Sequence, residues 1–317
     1  MNFTLKQLRY VEAAGRCGSI TDAAELLSIS QSSITAAIDA LEQTLGFDLF
    51  IRMPAKGIQP TPSGRDALGY IRNYLEQTNH LNSDLRSIGG QPVGALRLAC
   101  YVTTAPHVLP LMLKGFVRDQ PGIRVELAEG DMVSVVEQLL EGSVDLACTY
   151  NSTLPEQVSF TPLFSAPPYA IISAEDSLAA KSSVTLAELA ERPMIVLDLP
   201  FGRDYYTDLF YSRGLRPTIA HSTRSSEIVR ALAAGGFGFS ILNIRAREAG
   251  CPEYVCLPIR DPIPAIDFGI VSVAGVRHPR IVQAFLDHCA KLNSGGVFDE
   301  LMVQKTRFRR KIGEVRA

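Results

Sequence analysis

The side chains best suited to direct chemistry are polar groups at the start of one short helix. Gln31, Ser32 and Thr35 share one side of a helix that begins at Gln31. A glutamine can pair with an adenine edge or a phosphate, and hydroxyls are small enough to approach a nucleic-acid backbone. Arg52 and Lys56 follow in a loop, where cations can neutralise phosphate. These residues predict a surface that contacts DNA.

Three short helices must position these side chains. Gly18 ends the first, residues 28–30 separate the second from the third, and Gly46 ends the third. Two helices joined by such a break describe a helix-turn-helix, and residues 52–61 predict a two-stranded hairpin or loop beside it, the wing. The third helix has an apolar stripe for the core: Ile34, Ile38, Leu41 and Leu45. The spacing alone leaves open an ordinary helical subdomain with a polar face.

A longer helix is predicted next, from Thr61-Pro62 to the glycine pair at 89–90. At about 27 residues it would be roughly 40 Å long. Its apolar positions form a narrow stripe, with Leu81 slightly to one side: Leu68, Ile71, Leu75 and Leu85. Because so long a helix cannot bury such a stripe alone, we expect it to pair with the same helix of a second subunit.

Strands and helices alternate from Val93 onward, which predicts an α/β region with mostly parallel sheet and, from its length, two lobes. The predicted strands are 96–100, 123–128, 144–149, 169–173, 194–198, 237–242 and 267–273. The predicted helices lie near 105–119, 132–141, 203–213, 225–234 and 279–292.

Ligands of parallel α/β lobes bind at the carboxyl ends of strands, where helix N-termini point. Hydroxyls, a glycine, an arginine and an aromatic ring follow such strands and are the candidate ligand-binding residues: Thr103, Thr104, Thr149, Phe201, Gly202, Thr223 and Arg224. Helix N-termini and one arginine favour a small, anionic ligand. The alternative is that the Ser and Thr residues only cap helices.

Composition excludes several classes of protein. The 317 residues carry a net charge of -2, with 46% hydrophobic and 20% charged residues, so the chain is neither disordered nor basic overall. No apolar run is long enough for a membrane span, and the first residues lack a signal peptide, so we expect a cytoplasmic protein. Neither a catalytic set nor a metal or cofactor motif occurs in the sequence. The cysteines are scattered, so we expect them to be small buried residues; the alternative is a redox pair of Cys251 and Cys256.

Residues 3–64 resemble the winged helix-turn-helix of LysR-type transcriptional regulators. The matching segments are GSITDAAELL at 18–27, SQSSIT at 30–35, LEQTLGFDLFIR at 41–52 and TPSG at 61–64. The later segments GALRL (94–98), LLEGSVDLA (139–147) and RALAAGGFGFSIL (230–242) resemble the family's effector-binding region, so the likeness covers nearly all of 3–292. Ser32 stands where the family often has Pro, and Ala36 where it often has a basic residue.

The resemblance implies a DNA-binding transcriptional regulator and not an enzyme. It implies a DNA-binding domain at 1–61, a dimerisation helix at 62–90, and a periplasmic-binding-protein-like effector domain at 91–292. Lobe one would hold 93–162 and 266–292, and lobe two 163–265. The basic segment 293–317 lies outside the likeness and is expected to be a mobile tail.

The partners implied are double-stranded promoter DNA, a small-molecule effector between the lobes, and a homodimer or homotetramer, with RNA polymerase as a further expected partner. The DNA-contacting residues would be Gln31, Ser32, Ser33, Thr35, Ala36, Arg52 and Lys56. A transport or binding protein, and an α/β enzyme, are the rival classes. The first 61 residues argue against the former, and the lack of an assembled catalytic set argues against the latter.

Overall fold

The structure is a computed structural model that describes residues 3–53, 57–86, 94–152, 154–246 and 253–303, with the side chains at 80, 83, 84 and 86 left aside. The described residues form two compact units, one within residues 1–93 and one that begins at Gly94. The first unit contains α1 (Leu5–Cys17), α2 (Ile20–Leu27), α3 (Gln31–Leu45), β1 (Phe50–Met53), β2 (Gly57–Pro60) and α4 (Pro62–Arg86).

Local capping explains where the first three helices begin and end. Thr4 and Gln7 form a capping box before α1, and the Ser30 hydroxyl accepts a hydrogen bond from the Ser33 amide at the start of α3. Gly18 and Gly46 close α1 and α3 in the left-handed conformation, with φ of 64° and 79°. The helix-turn-helix and its antiparallel β1–β2 wing therefore have the predicted elements.

The core of this unit includes the start of α4. Leu8, Val11, Ile34, Ile38 and Leu41 are buried together with side chains of the wing and of α4. A Cβ on Gly15 of α1 would lie only 2.8 Å from Leu68 Cδ1, so α1 and α4 approach closely because residue 15 has no side chain. The predicted boundary at residue 61 thus separates two elements that share one core.

The second unit contains the predicted two lobes. Its elements are β3 (Gly94–Tyr101), α5 (Ala105–Asp119), β4 (Ile123–Gly130), α6 (Met132–Leu140), β5 (Leu146–Tyr150), β6 (Val158–Ala166), β7 (Tyr169–Ser173), α7 (Leu186–Ala190), β8 (Pro193–Leu197), α8 (Gly202–Tyr211), β9 (Thr218–Thr223), α9 (Ser226–Ala234), β10 (Ser240–Leu242), β11 (Tyr254–Pro258), β12 (Ile266–Val273) and α10 (Arg280–Ser294). Lobe one is built on a five-stranded sheet of order β4-β3-β5-β12-β6.

Lobe two holds the strands β10-β7-β11 and the parallel pair β8–β9. A parallel bridge between Met194 and Phe239 joins these two groups. Both lobes are mixed and not mostly parallel, because β12 runs antiparallel to β5 and β6, and β7 runs antiparallel to β10 and β11. β6 belongs to the lobe-one sheet as far as Ala166, so the expected lobe boundary after residue 162 falls inside a strand.

The segment expected to begin a mobile tail is partly packed. Phe298, Leu301 and Val303 are buried, and the Phe298 ring stacks on Phe164 with centroids 5.1 Å apart. The Arg245 amide also donates a hydrogen bond to the Leu301 carbonyl at 2.8 Å. The prediction was therefore wrong for 293–303, where apolar side chains complete the core. Residues 304–317, with most of the tail's basic residues, lie outside the described ranges.

Candidate functional site

The first turns of α3 present the predicted polar side chains. Gln31, Ser32 and Ala36 are exposed, whereas Ser33 and Thr35 are half-buried. The hydroxyls of Ser32 and Ser33 each lie 2.9 Å from the Ser30 hydroxyl. These three hydroxyls thus form a local cluster at the N-terminus of the helix, and Gln31 is left as the long, exposed side chain with amide donors and an acceptor.

The predicted wing cation has a partner that sequence reasoning missed. Arg52 lies on β1, and its Nη2 donates to Oδ1 of Asp39 on α3 at 2.7 Å. Both side chains are more than half exposed, at 60% and 57%. The pair joins residues 13 positions apart on different elements, so no local spacing rule reveals it. Lys56 lies outside the described residues.

Two of the four predicted dimerisation residues lie inside the chain's own core. Leu68 and Ile71 are only 2% and 8% exposed, packed among residues of the DNA-binding domain, and Leu75 is half-buried against the same core. The prediction was therefore wrong for Leu68 and Ile71, because the winged helix already covers that side of α4. Leu85 remains exposed, as the prediction requires.

A second apolar face of α4 was not recognised from the sequence. Tyr70, Tyr74 and Leu81 are exposed, at 78%, 54% and 58%, and share one side of the helix with Leu85. The two tyrosines border an apolar groove of about 500 Å³. The groove is lined by Phe3, Leu8, Leu41, Leu45, Phe47, Ser63, Asp66, Ala67, Tyr70, Ile71 and Tyr74. Leu45, expected in the core, is 37% exposed at its edge.

In the second unit, the end of β3 meets the start of α8. Phe201 has φ of 60°, which turns the chain into α8, and its side chain is 42% exposed. Gly202 is buried, and a Cβ there would lie 3.7 Å from the Tyr101 hydroxyl oxygen. Residues of lobe one and lobe two thus come together where the sequence placed the ligand cleft. Burial raises the pKa of Tyr101 to about 12, so its hydroxyl stays protonated.

The predicted threonines have different environments. Thr104 is buried and its hydroxyl donates to the Tyr101 carbonyl at 2.9 Å, so its proton is used by the backbone, and its contact with a ligand stays a prediction. Thr149 is fully buried, and its Oγ1 has no hydrogen-bond partner among the described residues. Thr103 is half-buried beside Tyr101. An unsatisfied buried hydroxyl is costly, which makes Thr149 the most informative of the three.

Two further predicted ligand-binding residues, Thr223 and Arg224, lie at the end of β9, and Thr223 is hydrogen-bonded within the fold. The Thr223 carbonyl accepts from the Asp198 amide at 2.8 Å, and its hydroxyl accepts from the Ser225 amide at 3.3 Å. Arg224 is exposed. Thr223 therefore stabilises the turn before α9, whose N-cap is Ser225, and Thr223 and Arg224 both stay predicted ligand contacts.

Two buried polar clusters between the lobes were missed. In the first cluster, Asn243 connects lobe two with the end of β6. Its Oδ1 accepts from the Tyr206 hydroxyl at 2.8 Å, and its Nδ2 donates to the Ala166 carbonyl at 2.7 Å. Arg230 of α9 lies 3.4 Å from the His107 ring of α5, measured from Nη2 to Nε2. Burial and then Arg230 lower the pKa of His107 to about 4.

A signal for one of these clusters was present in the sequence. Arg230 also donates to Glu227 at 2.6 Å, a pair three residues apart on α9 that helical spacing could have predicted. The contacts of Asn243 and His107 join segments far apart in the chain, so the sequence held no local sign of them.

A winged helix-turn-helix with a polar recognition surface, followed by a two-lobed α/β unit, defines a DNA-binding regulator with a ligand-binding module. Comparison with known families gives the particular class. Residues 5–65 match the family described as bacterial regulatory helix-turn-helix protein, lysR family, and residues 89–293 match the LysR substrate binding domain. The chain belongs to the LysR family of DNA-binding transcriptional regulators, with an effector-binding domain.

Individual relatives agree with this assignment. The chain is 28% identical over 266 residues to YnfL of Escherichia coli, an uncharacterized HTH-type transcriptional regulator, covering 82% of this chain and 89% of the relative. The crystal structure of HinK, a LysR family regulator from Pseudomonas aeruginosa, is similar with a TM-score of 0.60 and 28% identity over 92% of this chain and 98% of HinK. Full-length OxyR from Pseudomonas aeruginosa shares the fold, with a TM-score of 0.74 at 22% identity over 91% and 95% of the chains. None of the helices in the described ranges has the length and hydropathy of a membrane span.

Proposed function

We propose that this regulator reads promoter DNA in the cytoplasm through the first turns of α3, with Gln31 as the main base-reading side chain. The observation that carries the proposal is the exposed N-terminal turn of α3, capped by Ser30. Helix-turn-helix proteins place these turns of the recognition helix against base edges. Ser32, Thr35 and Ala36 would contact the neighbouring bases or phosphates, and Arg52 and Lys56 would contact phosphate from the wing.

The test compares two glutamines of the same helix. Gln31→Ala should lower the preference for a duplex that the parent chain selects from a randomised pool over its shuffled version, by about 1–3 kcal/mol of discrimination. Gln43→Ala, at an exposed position near the other end of α3, is the control. Gel shifts with both duplexes measure the ratio. Equal preference in the parent chain and the Gln31 variant would remove Gln31 from the reading surface.

The proposal includes a homodimer, or a dimer of dimers, formed through the exposed face of α4. Its support is the set of exposed apolar side chains on one side of that helix, Tyr70, Tyr74, Leu81 and Leu85, next to an apolar groove. A dimer would hold two recognition helices against half-sites about 34 Å apart, or a multiple of it. A regulator bound at a promoter would also alter the access of RNA polymerase, which we include as a partner.

We further propose that the effector is a small, anionic molecule bound between the lobes near Thr103, Thr149, Phe201 and Gly202. The supporting observations are the approach of Tyr101 to Gly202 across the lobes and the orphaned Thr149 hydroxyl. The N-terminus of α8 adds favourable electrostatics for an anion. Arg224 would contribute charge from lobe two.

Calorimetry of the full chain against sulfate, small dicarboxylates and their neutral amides tests this effector class. Binding of acids but not of amides would support the anionic effector. Binding of a neutral compound with no acid binding would reject the charge, and affinities unchanged by Phe201→Ala and Thr149→Val would reject the location.

A further inference from the structure

We infer that Asp39 limits the affinity of the winged helix for DNA by holding Arg52. The inference rests on the proposed function, since it concerns the same DNA-contacting surface. It adds a residue that opposes binding to those that favour it.

Asp39 lies on the exposed side of α3. It follows Thr35 by four residues and Gln31 by eight, so it continues the exposed side of α3 that presents these two residues. A carboxylate on that side faces the same partner as Gln31. Near DNA it is repelled by phosphates, because like charges at short range disfavour association.

Asp39 is also the ion-pair partner of Arg52. The 2.7 Å bond from Arg52 Nη2 to Asp39 Oδ1 neutralises the cation of the wing in the free protein. Because both side chains are more than half exposed, the pair contributes little to stability and a phosphate can displace Asp39 from Arg52. After that exchange one negative charge is left beside the DNA, so Asp39 lowers the affinity whether the pair opens or stays closed.

The charge of the domain makes this single pair important. Residues 1–61 contain five Lys or Arg and six Asp or Glu, so the DNA-binding domain has no excess of positive charge. Arg16 is also close to a carboxylate, that of Glu12, at 3.4 Å. Non-specific binding to DNA depends on Lys and Arg side chains that displace counterions from the phosphates. Contacts to the bases do not contribute to it. Because a phosphate contact is the same on any sequence, restraining Arg52 lowers the affinity for arbitrary and selected sequences alike.

The test measures affinity for the selected duplex and its shuffled version at several salt concentrations. We expect Asp39→Asn to raise the affinity for both duplexes about 3- to 10-fold, so that the specificity ratio stays nearly unchanged. Asp48→Asn removes an equal charge from an exposed turn of the same domain and should change either affinity less than about 2-fold.

A double-mutant cycle separates the action through Arg52 from simple charge removal. If Asp39 acts by holding Arg52, the gain from Asp39→Asn should be smaller in an Arg52→Gln background, where only the repulsion between Asp39 and phosphate remains. An equal gain in both backgrounds, or an equal gain from Asp48→Asn, would overturn the inference.

Weaker binding by Asp39→Asn would also overturn it, because Asp39 would then orient Arg52 toward phosphate. Thermal unfolding confirms that the variants are folded, which an exposed pair should allow. If the parent chain itself prefers no duplex from the pool, the proposed function fails and this inference with it. If the parent chain is selective and Asp39→Asn has no effect, only this inference fails.

Discussion

The recognition helix and the interlobe region hold their polar side chains in opposite ways. On α3 most candidate contact residues are exposed, and Arg52 has a partner that solvent surrounds. Between the lobes Arg230 is only 5% exposed, against His107 and Glu227, and Thr104 is bonded to the backbone. An exposed pair can exchange one partner for a ligand at little cost, whereas a buried one is part of the fold. The exposed groups of α3 are therefore available to a partner as they stand, whereas the buried groups between the lobes are held by the fold.

The largest expected effect concerns α4, whose exposed apolar face would become buried if it is the dimer interface. Leu81→Asp or Leu85→Asp would place a charge in the proposed interface, which is expensive when buried and harmless while exposed. We expect dissociation to monomers and a loss of DNA affinity of at least about 100-fold, because one half-site contact would remain. Sedimentation velocity and gel shifts measure both effects.

A control on the same helix separates dimerisation from helix stability. Asn79 is exposed and lies nearly opposite Leu81 and Leu85 in the helical repeat, so Asn79→Asp adds the same charge away from the proposed interface. Leu68→Asp should instead unfold the DNA-binding domain, since Leu68 is in its core. An intact dimer in the Leu81 and Leu85 variants would show that this face of α4 is not the interface.

Local patterns account for what could be predicted, and contacts between distant segments account for what could not. The caps at Ser30, Gly18 and Gly46 depend on neighbouring residues, so the three helices and the wing followed from the sequence. Leu68 and Ile71 of the α4 stripe were assigned to the wrong partner, because a repeat shows that a face is apolar but not what covers it.

The same distinction applies to the effector domain. Strand–helix alternation gave the lobes, but β6, β9 and β11 were missed because their burial alternates or is incomplete along the strand. The antiparallel direction of β12 depends on the chain returning from lobe two, which no local pattern records. Among the ligand candidates, Thr104 and Thr149 look alike in sequence, and only their hydrogen bonds distinguish them.

The buried contact between the lobes predicts a dependence of stability on pH. The folded-state pKa of His107 is about 4, below its ordinary value of 6.5, because burial and Arg230 disfavour its charged form. The unfolded chain therefore binds a proton more readily, and stability falls as pH decreases from about 6.5 towards 4. We expect His107 to account for a loss of up to about 3 kcal/mol over that window.

Urea unfolding at several pH values between 7 and 4.5 measures this dependence. His107→Gln removes the titrating ring, so the slope should decrease, and His221→Gln at an exposed position is the control variant. An unchanged slope in the His107 variant would mean that the contact with Arg230 does not control protonation.

The smallest expected effect comes from the two buried threonines of lobe one, and it distinguishes groups used by the fold from groups left for a ligand. Thr104→Val removes a hydroxyl that donates to the Tyr101 carbonyl, so it should lower the free energy of unfolding by about 1 kcal/mol. Thr149→Val removes a hydroxyl without a described partner and should leave stability unchanged or slightly raised.

The effects of the two variants on effector affinity should have the opposite order. Thr149→Val should weaken binding about 10-fold, while Thr104→Val should change it little, because a polar ligand would satisfy only the hydroxyl that has no described partner. Thermal unfolding and calorimetry on the same preparations give both quantities, and a Thr149 variant that loses stability without losing affinity would assign that hydroxyl to the fold.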